Sequence, residues 1–332
     1  MLSAHDIVPS SSSTTTNASG LLTAITPDVP PSSSLAPRSG ELQADGLVLV
    51  WNLAMPSRPE HIFTCGSPVL AAKFHPTEAP LVIGGCQSGQ LVIWDVRAGR
   101  LPVQRSGQGY PISAMEVTEG NSGLVTTSTD GKVSFWSLAN LRDPAETIQL
   151  DGNFSCLATG DKSSLMCGDE CGALFVVPAK RKQAKKLAAA TSSHHFGMVT
   201  AVSTKKDLVL SSGVDWTVKL MKNEKEIWSV VSHTYDYMSD VQWNPVHPSL
   251  FATASSNGTV GLWNLAESTE EAQGEIVVEP PASGVGINKV RWSADGRRML
   301  VASAERVHVL SLAGDVLRQK GDEEDRMMNR LM

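Results

Sequence analysis

The stretch DGKVSFW, residues 130–136, is the clearest copy of a short pattern that recurs along this chain. An acidic or small polar residue and a glycine form a tight turn, because Asp and Asn tolerate turn geometry and Gly adopts positive φ at no steric cost. An alternating strand follows, with Val133 and Phe135 on one face and polar residues on the other. The closing residue, Trp136, supplies a large apolar side chain to bury between neighbouring sheets.

Seven copies of this pattern stand in register, which is far stronger evidence than any single copy. Successive copies end 43, 42, 40, 45, 42 and 47 residues apart. A period of roughly 40–45 residues that carries several short strands is typical of WD-type propeller blades. We therefore predict an all-β fold, a seven-bladed WD-repeat β-propeller. The copies are DGLVLVW (45–51), SGQLVIW (88–94), DGKVSFW (130–136), ECGALFV (170–176), DWTVKLM (215–221), NGTVGLW (257–263) and AERVHVL (304–310).

The composition divides the chain into three predicted parts. Residues 1–44 are rich in Ser, Thr and Pro, and we predict that they are disordered apart from one short strand. Residues 45–313 are predicted to form the propeller, and residues 314–332 an outer strand followed by a charged tail. The first blade shows only two convincing strands where a blade normally has four, so we predict that it is incomplete.

Charge and motif content disfavour several classes of protein. The formal net charge of −6 argues against a dedicated nucleic-acid surface. The five cysteines are odd in number and irregularly spaced, which favours a reduced cytosolic chain. No stretch approaches the ~20 apolar residues that a membrane helix needs. There is no phosphate-binding loop, dinucleotide fingerprint or hydrolase motif, so we predict no enzymatic activity and no cofactor.

Three short features contain residues that can carry chemistry, and each also has a structural explanation. Cys167 and Cys171 resemble half of a metal site, but no second Cys or His pair stands at suitable spacing, so we predict no metal. The pair His194-His195 fits the position before the first strand of a blade, and no partnered acid and nucleophile can be placed beside it. The basic run within residues 180–186 is either a localisation signal, an electrostatic patch or, more commonly, a solvated loop.

One rim of the propeller is predicted to carry exposed aromatic residues. Trp216 replaces the usual turn glycine of the fifth copy, and Tyr235 and Tyr237 stand in the segment that enters the sixth blade. In a propeller, the turn between the second and third strands lies on the same face as the loop that enters the next blade. We predict that these three residues converge and bind a protein partner, since exposed aromatic residues often anchor interfaces. The alternative is that Trp216 folds onto the neighbouring blade.

Several segments of the chain resemble the propeller of cytoplasmic dynein intermediate chains. The resemblance covers roughly residues 45–312. Its most specific parts are the segment that ends in PVQR and the segment DWTVKL, which are much more specific than a generic WD repeat. The segments are LVWNL (49–53), GGCQSGQLVIWDVR with PVQR (84–97 and 102–105), STDGKVSFWSL (128–138), DWTVKL (215–220), DYMSDVQWNPVHPSLF (236–251), GLWNL (261–265) and NKVRWSADGR (288–297).

The resemblance implies a non-catalytic subunit of a microtubule motor, located in the cytoplasm at the cytoskeleton, whose propeller binds the dynein heavy chain. It implies binding of dynein light chains and dynactin only if a longer N-terminal segment exists, because the family binds them upstream of the propeller. The alternatives are an axonemal dynein intermediate chain, an enzyme with its site at the propeller mouth, and nucleic-acid binding through the basic run. The PVQR and DWTVKL segments favour the cytoplasmic type.

Overall fold

The computed structural model describes most of the chain, and its regular structure is almost entirely β. In the described residues the chain forms 28 strands and a single helix, α1. The described residues are 4–7, 14–17, 20–25, 46–55, 57–107, 109–118, 123–160, 164–178, 185–186, 194–222, 225–280, 283–304, 306–318 and 321–331.

Six blades are each built from four consecutive antiparallel strands, as expected when short turns connect neighbouring strands. The first three blades contain β2 (Thr14–Asn17), β3 (Gly20–Ile25), β4 (Gly46–Asn52) and β5 (His61–Cys65); β6 (Val69–Phe74), β7 (Leu81–Cys86), β8 (Gln90–Asp95) and β9 (Gln104–Gly107); and β10 (Ile112–Val117), β11 (Gly123–Ser128), β12 (Lys132–Ser137) and β13 (Glu146–Gln149).

The fourth to sixth blades follow the same order, and the innermost strand of each blade comes first in sequence. They contain β14 (Phe154–Thr159), β15 (Ser164–Asp169), β16 (Leu174–Pro178) and β17 (Lys185–Lys186); β18 (Val199–Lys205), β19 (Leu208–Gly213), β20 (Thr217–Lys222) and β21 (Lys225–Val231); and β22 (Met238–Trp243), β23 (Leu250–Ser255), β24 (Thr259–Asn264) and β25 (Gly274–Val277).

The last sheet is assembled from both ends of the chain. Its strands β26 (Ile287–Trp292), β27 (Arg298–Ser303) and β28 (Val307–Ser311) are consecutive, and its outer strand is β1 (Ala4–Ile7), which pairs antiparallel with β28. Strand β26 lies between β22 of the sixth blade and β2 of the first, so the ring of inner strands closes. Closure covers the sheet faces that the two ends of an open row would otherwise expose.

The prediction of a seven-bladed propeller with an incomplete first blade is wrong. The structure has six blades of four consecutive strands, and the seventh copy of the repeat lies in a sheet of three consecutive strands that β1 completes. The first blade is complete, because β2 pairs in register with β3 and β3 pairs in register with β4. Ladder pairing depends on backbone groups and suits β-branched Thr, so a polar Thr-rich segment forms strands without an apolar pattern.

The strand beside β28 also differs from the one expected at the C-terminal end. That outer position belongs to β1, whereas residues 314–317 form turns rather than the predicted outer strand. Most other residues of segment 1–44, for which disorder was predicted, lie outside the described residues. The division of the chain at residues 44 and 313 therefore stays a prediction.

The core consists of apolar layers between neighbouring sheets, and the closing tryptophans of the repeat lie in it. Trp136 is 2% exposed, and its indole Nε1 donates a hydrogen bond to Thr126 Oγ1 at 2.9 Å. Trp263 is likewise buried and donates to Thr253 Oγ1 at 3.2 Å. These residues confirm the prediction that both tryptophans are core residues. A buried indole keeps its N–H satisfied in this way while its rings fill the space between sheets.

Helix α1 (Glu323–Leu331) packs its apolar side against the fifth and sixth blades. Met327 is buried in their core, and the carboxylate of Glu323 lies 3.1 Å from His247 Nε2. On the exposed side, Lys206 Nζ pairs with Glu324 at 2.6 Å. The charged tail is therefore a docked helix rather than a loose end. No helix within the described ranges is long and apolar enough to cross a membrane.

Candidate protein-binding rim

The turn between β19 and β20 is held by the carboxylate of Asp215. Its Oδ1 accepts hydrogen bonds from the backbone N–H and the hydroxyl of Thr217, at 3.3 and 2.8 Å. Its Oδ2 accepts a bond from the backbone N–H of Phe196 at 3.0 Å. One side chain thus shapes the turn and joins it to the loop that enters the fifth blade, as Asp does readily in turns.

His195 lies between Asp215 and Ser211, which sequence reasoning had not placed beside it. Its Nδ1 is 3.0 Å from Asp215 Oδ1 and its Nε2 is 2.8 Å from Ser211 Oγ. The order of the three groups resembles a Ser-His-Asp triad. However, His195 and Ser211 are both completely buried, so no substrate can reach the hydroxyl. The arrangement ties the entry loop to strand β19 and is structural.

The hydrogen bonds around Asp215 keep its carboxylate ionised. Burial disfavours its charged form, but hydrogen bonds from His195, the Phe196 backbone and Thr217 outweigh burial and hold its pKa well below the usual range. The ionised carboxylate accepts bonds on both oxygens, which fixes the turn that presents Trp216.

We expect His194 to make the fold sensitive to acid. Burial, helped by the nearby charges of His195 and Lys219, lowers the pKa of His194 to about 4. This pKa lies below the unfolded value of about 6.5. The contribution of neutral His194 to the free energy of unfolding is therefore fully present above pH 6.5 and is lost as the pH falls toward 4. The ring is partly exposed, so we expect a loss of about 1 kcal/mol at pH 5.

The test is urea unfolding at pH 7 and pH 5 of the parent chain and of His194→Gln. The variant cannot gain a proton at this site, so its free energy of unfolding should fall less between the two pH values. The matched control is the exposed residue His233, replaced by Gln. An equal loss of stability in the parent and His194→Gln would contradict this role of His194.

Trp216 and Tyr235 are brought into contact at the rim. Their rings meet edge to face, with centroids 5.8 Å apart and an interplanar angle of 85°. The backbone N–H of Ser232 donates to the carbonyl of Trp216 at 2.8 Å, which holds the loop before the sixth blade beside the turn of the fifth. An edge-to-face aromatic pair is a favoured geometry that adds to the energy of buried area.

The aromatic rim, defined as Trp216, Tyr235 and Tyr237, is open to solvent. The exposed fractions of the three residues are 46%, 68% and 48%. The carbonyl of Tyr237 accepts a bond from the Ser256 N–H at 3.0 Å, which places this residue beside the equivalent turn of the sixth blade. Trp216 thus contacts the neighbouring loop and still presents about half of its surface to solvent.

Two further apolar residues extend this surface, and sequence reasoning missed both. Phe196 is 82% exposed and Met198 is 38% exposed, and both lie in the loop that Asp215 holds against the turn. The N–H of Val214 donates to the carbonyl of Met198 at 3.1 Å, so this residue borders the same turn. The sequence signal that could have identified them is the presence of two large apolar residues just after the two histidines.

The other sequence-derived candidates show structural surroundings. Cys167 is buried within the fourth blade, where burial raises the pKa of its thiol, and Cys171 is exposed in the following turn. Within the part of the chain that the structure describes, no three His, Cys, Asp or Glu side chains are grouped to hold a metal. Of the basic run, 185–186 form β17, and residues 180–184 lie outside the described residues.

A central channel of about 470 Å³ is lined by the inner strands. Its charged side chains pair with one another: Lys73 Nζ lies 2.6 Å from Glu116, and Arg291 Nη1 lies 2.7 Å from Asp240. Paired charges of this kind hold neighbouring sheets together, so the channel offers a weaker case for ligand binding than the rim does.

Together, the repeat and the closed ring of four-stranded sheets define a WD-repeat β-propeller. Comparison with solved structures agrees on the fold alone. The crystal structure of the computationally designed Ika8 protein matches with a TM-score of 0.65 and 16% identity, over 91% of this chain and 83% of that one. A WD domain, G-beta repeat model matches residues 224–264.

Sequence comparisons then define the family more closely, and this chain belongs to the WD-repeat family of dynein intermediate chains. A model described as the dynein axonemal intermediate chain 3 WD40 domain matches residues 37–122. Cytoplasmic dynein 1 intermediate chain of Drosophila melanogaster is 32% identical over 87% of this chain, which covers 47% of that protein. Dynein axonemal intermediate chain 2 of Rattus norvegicus is 27% identical over 65% of this chain, which covers 38% of that protein.

The resemblance derived from the sequence is thus confirmed at the level of the family. The chain spans less than half the length of either of these two relatives. Both a cytoplasmic and an axonemal intermediate chain are similar to it, so membership of the family leaves the choice between the two types open.

Proposed function

We propose that this chain is a non-catalytic intermediate-chain subunit of cytoplasmic dynein, a propeller scaffold that binds the dynein heavy chain and supports microtubule-based transport. The observation that carries the proposal is the 32% identity to a cytoplasmic dynein 1 intermediate chain over 87% of this chain. The histidine and serine that resemble part of a catalytic triad, His195 and Ser211, are completely buried, which supports a scaffold role. Such a subunit would act in the cytoplasm, at the microtubule cytoskeleton.

Light chains and dynactin belong to the proposal only for a longer product. The match covers 47% of the fruit-fly relative, so the rest of that relative is not aligned with this chain. We propose no nucleic-acid and no membrane partner, in keeping with the acidic net charge of −6.

An axonemal intermediate chain is the second candidate. It is supported by the family model over residues 37–122 and by the rat relative at 27% identity. The cytoplasmic type is favoured by the higher identity and the longer match of the fruit-fly relative.

Affinity capture of the tagged chain from cell extract, followed by mass spectrometry, tests the proposal. We expect the heavy chain of cytoplasmic dynein among the captured proteins. Capture of axonemal heavy chains instead would favour the second candidate. Capture of no dynein heavy chain by a folded chain would contradict both.

We further propose that the aromatic rim contributes to heavy-chain binding. Exposed, fixed aromatic residues are typical hot spots, and truncation of one commonly costs about 2 kcal/mol or more of binding free energy. The change is the triple variant Trp216→Ala, Tyr235→Ala and Tyr237→Ala. Because hot-spot energies are not additive, we expect a loss of at least about 2 kcal/mol in total, which is roughly thirty-fold in Kd.

The measurement is titration of a purified heavy-chain tail fragment against each variant. Tyr110→Ala serves as the control, because Tyr110 is a half-exposed tyrosine that packs on Lys132, at the third blade. Unaltered affinity of a folded triple variant would remove the rim from the interface.

A further inference from the structure

Trp216 occupies a backbone position that the other described blades reserve for glycine. Its φ is +67°, in the left-handed region that L-residues with a large side chain rarely adopt. A non-glycine residue in this region strains the backbone. The equivalent turn residues of the second, third, fourth and sixth blades are Gly89, Gly131, Gly172 and Gly258, with φ values of 79°, 84°, 86° and 87°.

Space as well as backbone angle favours glycine at this position. A Cβ on Gly131 would lie 2.3 Å from the carbonyl oxygen of Leu150, and one on Gly258 would lie 2.4 Å from that of Glu279. The chain that passes over the turn must therefore run differently in the fifth blade. There Tyr235 has a positive φ of +55°, so the partner of Trp216 in the aromatic pair is strained as well.

These strained residues lie within one apolar surface, which we call the extended rim. Hydrogen bonds from loop to turn connect its members, as the Phe196 and Ser232 N–H groups each bond to the turn that contains Trp216. A contiguous apolar patch that remains exposed on a folded domain commonly marks an interaction site. The extended rim consists of Phe196, Met198, Trp216, Tyr235 and Tyr237.

Two acidic residues flank the extended rim within the described part of the chain. Glu170 is exposed in the turn of the fourth blade, and that turn contacts the entry loop through a 3.0 Å bond from the His195 N–H to the Gly172 carbonyl. Asp236 stands between the two tyrosines and is partly exposed. The nearby Lys219 is turned inward, where its Nζ donates to the His194 carbonyl at 2.9 Å and pairs with Glu226.

We propose that the extended rim is the docking surface for an apolar segment flanked by Lys or Arg, and that Trp216 stands at a glycine position because docking requires its ring. The proposal rests on the proposed function, since the segment would belong to the heavy-chain tail. Basic residues beside the segment would meet Glu170 and Asp236 and stack on the tyrosine faces. The apolar residues would fill the surface around Trp216.

Two substitutions at the same position separate strain from recognition. Trp216→Ala and Trp216→Gly both remove the ring, but only glycine relieves the positive φ. We expect Trp216→Gly to unfold about 1–3 °C above Trp216→Ala. We expect both to bind the heavy-chain tail fragment at least tenfold more weakly than the parent, with Tyr110→Ala unchanged. Equal unfolding temperatures of the two variants, or retained binding, would overturn the role given to Trp216.

A charge variant tests the chemistry of the partner segment. In Glu170→Gln with Asp236→Asn, we expect weaker binding at low salt and a smaller loss of affinity between low and high salt than in the parent. Unchanged affinity and salt dependence would contradict a basic partner segment. If the parent chain itself fails to bind the tail fragment, the proposed function fails; if the parent binds and the rim variants bind equally well, only this inference fails.

Discussion

Replacement of Trp136 by alanine is expected to lower the free energy of unfolding by about 3–5 kcal/mol. The indole is 2% exposed, lies in one core layer with Leu124 and Leu141, and donates a hydrogen bond to Thr126. Truncation removes the transfer energy of a large ring, leaves a cavity between two sheets and removes the indole donor that bonds to Thr126 Oγ1. Urea unfolding followed by circular dichroism measures the change.

The control for this experiment is Trp216→Ala, which removes the same side chain from a half-exposed site. We expect it to cost clearly less stability than Trp136→Ala, since less apolar area leaves water at that position. A change in the free energy of unfolding of less than about 1 kcal/mol for Trp136→Ala would mean that this side chain does not stabilise the packing between two sheets.

Replacement of Asp240 by alanine is expected to cost a similar amount, about 3–5 kcal/mol, for an electrostatic reason. Asp240 is 1% exposed in β22 and joins the sixth blade to the last sheet. Its Oδ2 accepts bonds from the Val290 N–H at 2.8 Å and from Arg291 Nη1 at 2.7 Å, and Lys289 Nζ lies 3.8 Å from Oδ1. Its removal leaves an uncompensated guanidinium and a buried amide without its acceptor.

A double-mutant cycle with Arg291→Met isolates the pair. If the pair is coupled, the double variant should be more stable than the sum of the two single losses predicts, because neither partner is then left alone. Asp143→Ala, at an exposed position, is the control. An unfolding midpoint of Asp240→Ala equal to that of the parent would contradict the role of this side chain as a link between sheets.

Much of the fold could be predicted from the repeat because each copy encodes its own turn and third strand. The segment KVSFWS forms β12, next to a turn whose glycine has positive φ. The first blade and the last sheet could not be predicted in this way. Strand β2, TTTN, has no apolar alternation, and β1 pairs with β28 across almost the whole length of the chain. Pairing over such a separation leaves no local periodicity to read.

The candidate site shows the same division between local and long-range information. The approach of Trp216 to Tyr235 followed from the general topology of a propeller, which fixes turns and entry loops on one face. The contacts of His195 could not be predicted from the topology. Ser211 and Asp215 reach His195 only when β19 pairs with β18 in the register that the structure shows. The strain at Trp216 became visible once its φ was compared with those of the four glycines.

Binding to the dynein heavy chain is the central claim, and size-exclusion chromatography with light scattering tests it most directly. The purified chain would be mixed with the heavy-chain tail fragment of cytoplasmic dynein from the same organism, at roughly 10 μM, where a Kd up to the low micromolar range is detectable. We predict co-elution as one stoichiometric complex with the summed mass. Separate elution of the folded chain and the folded fragment would contradict the account.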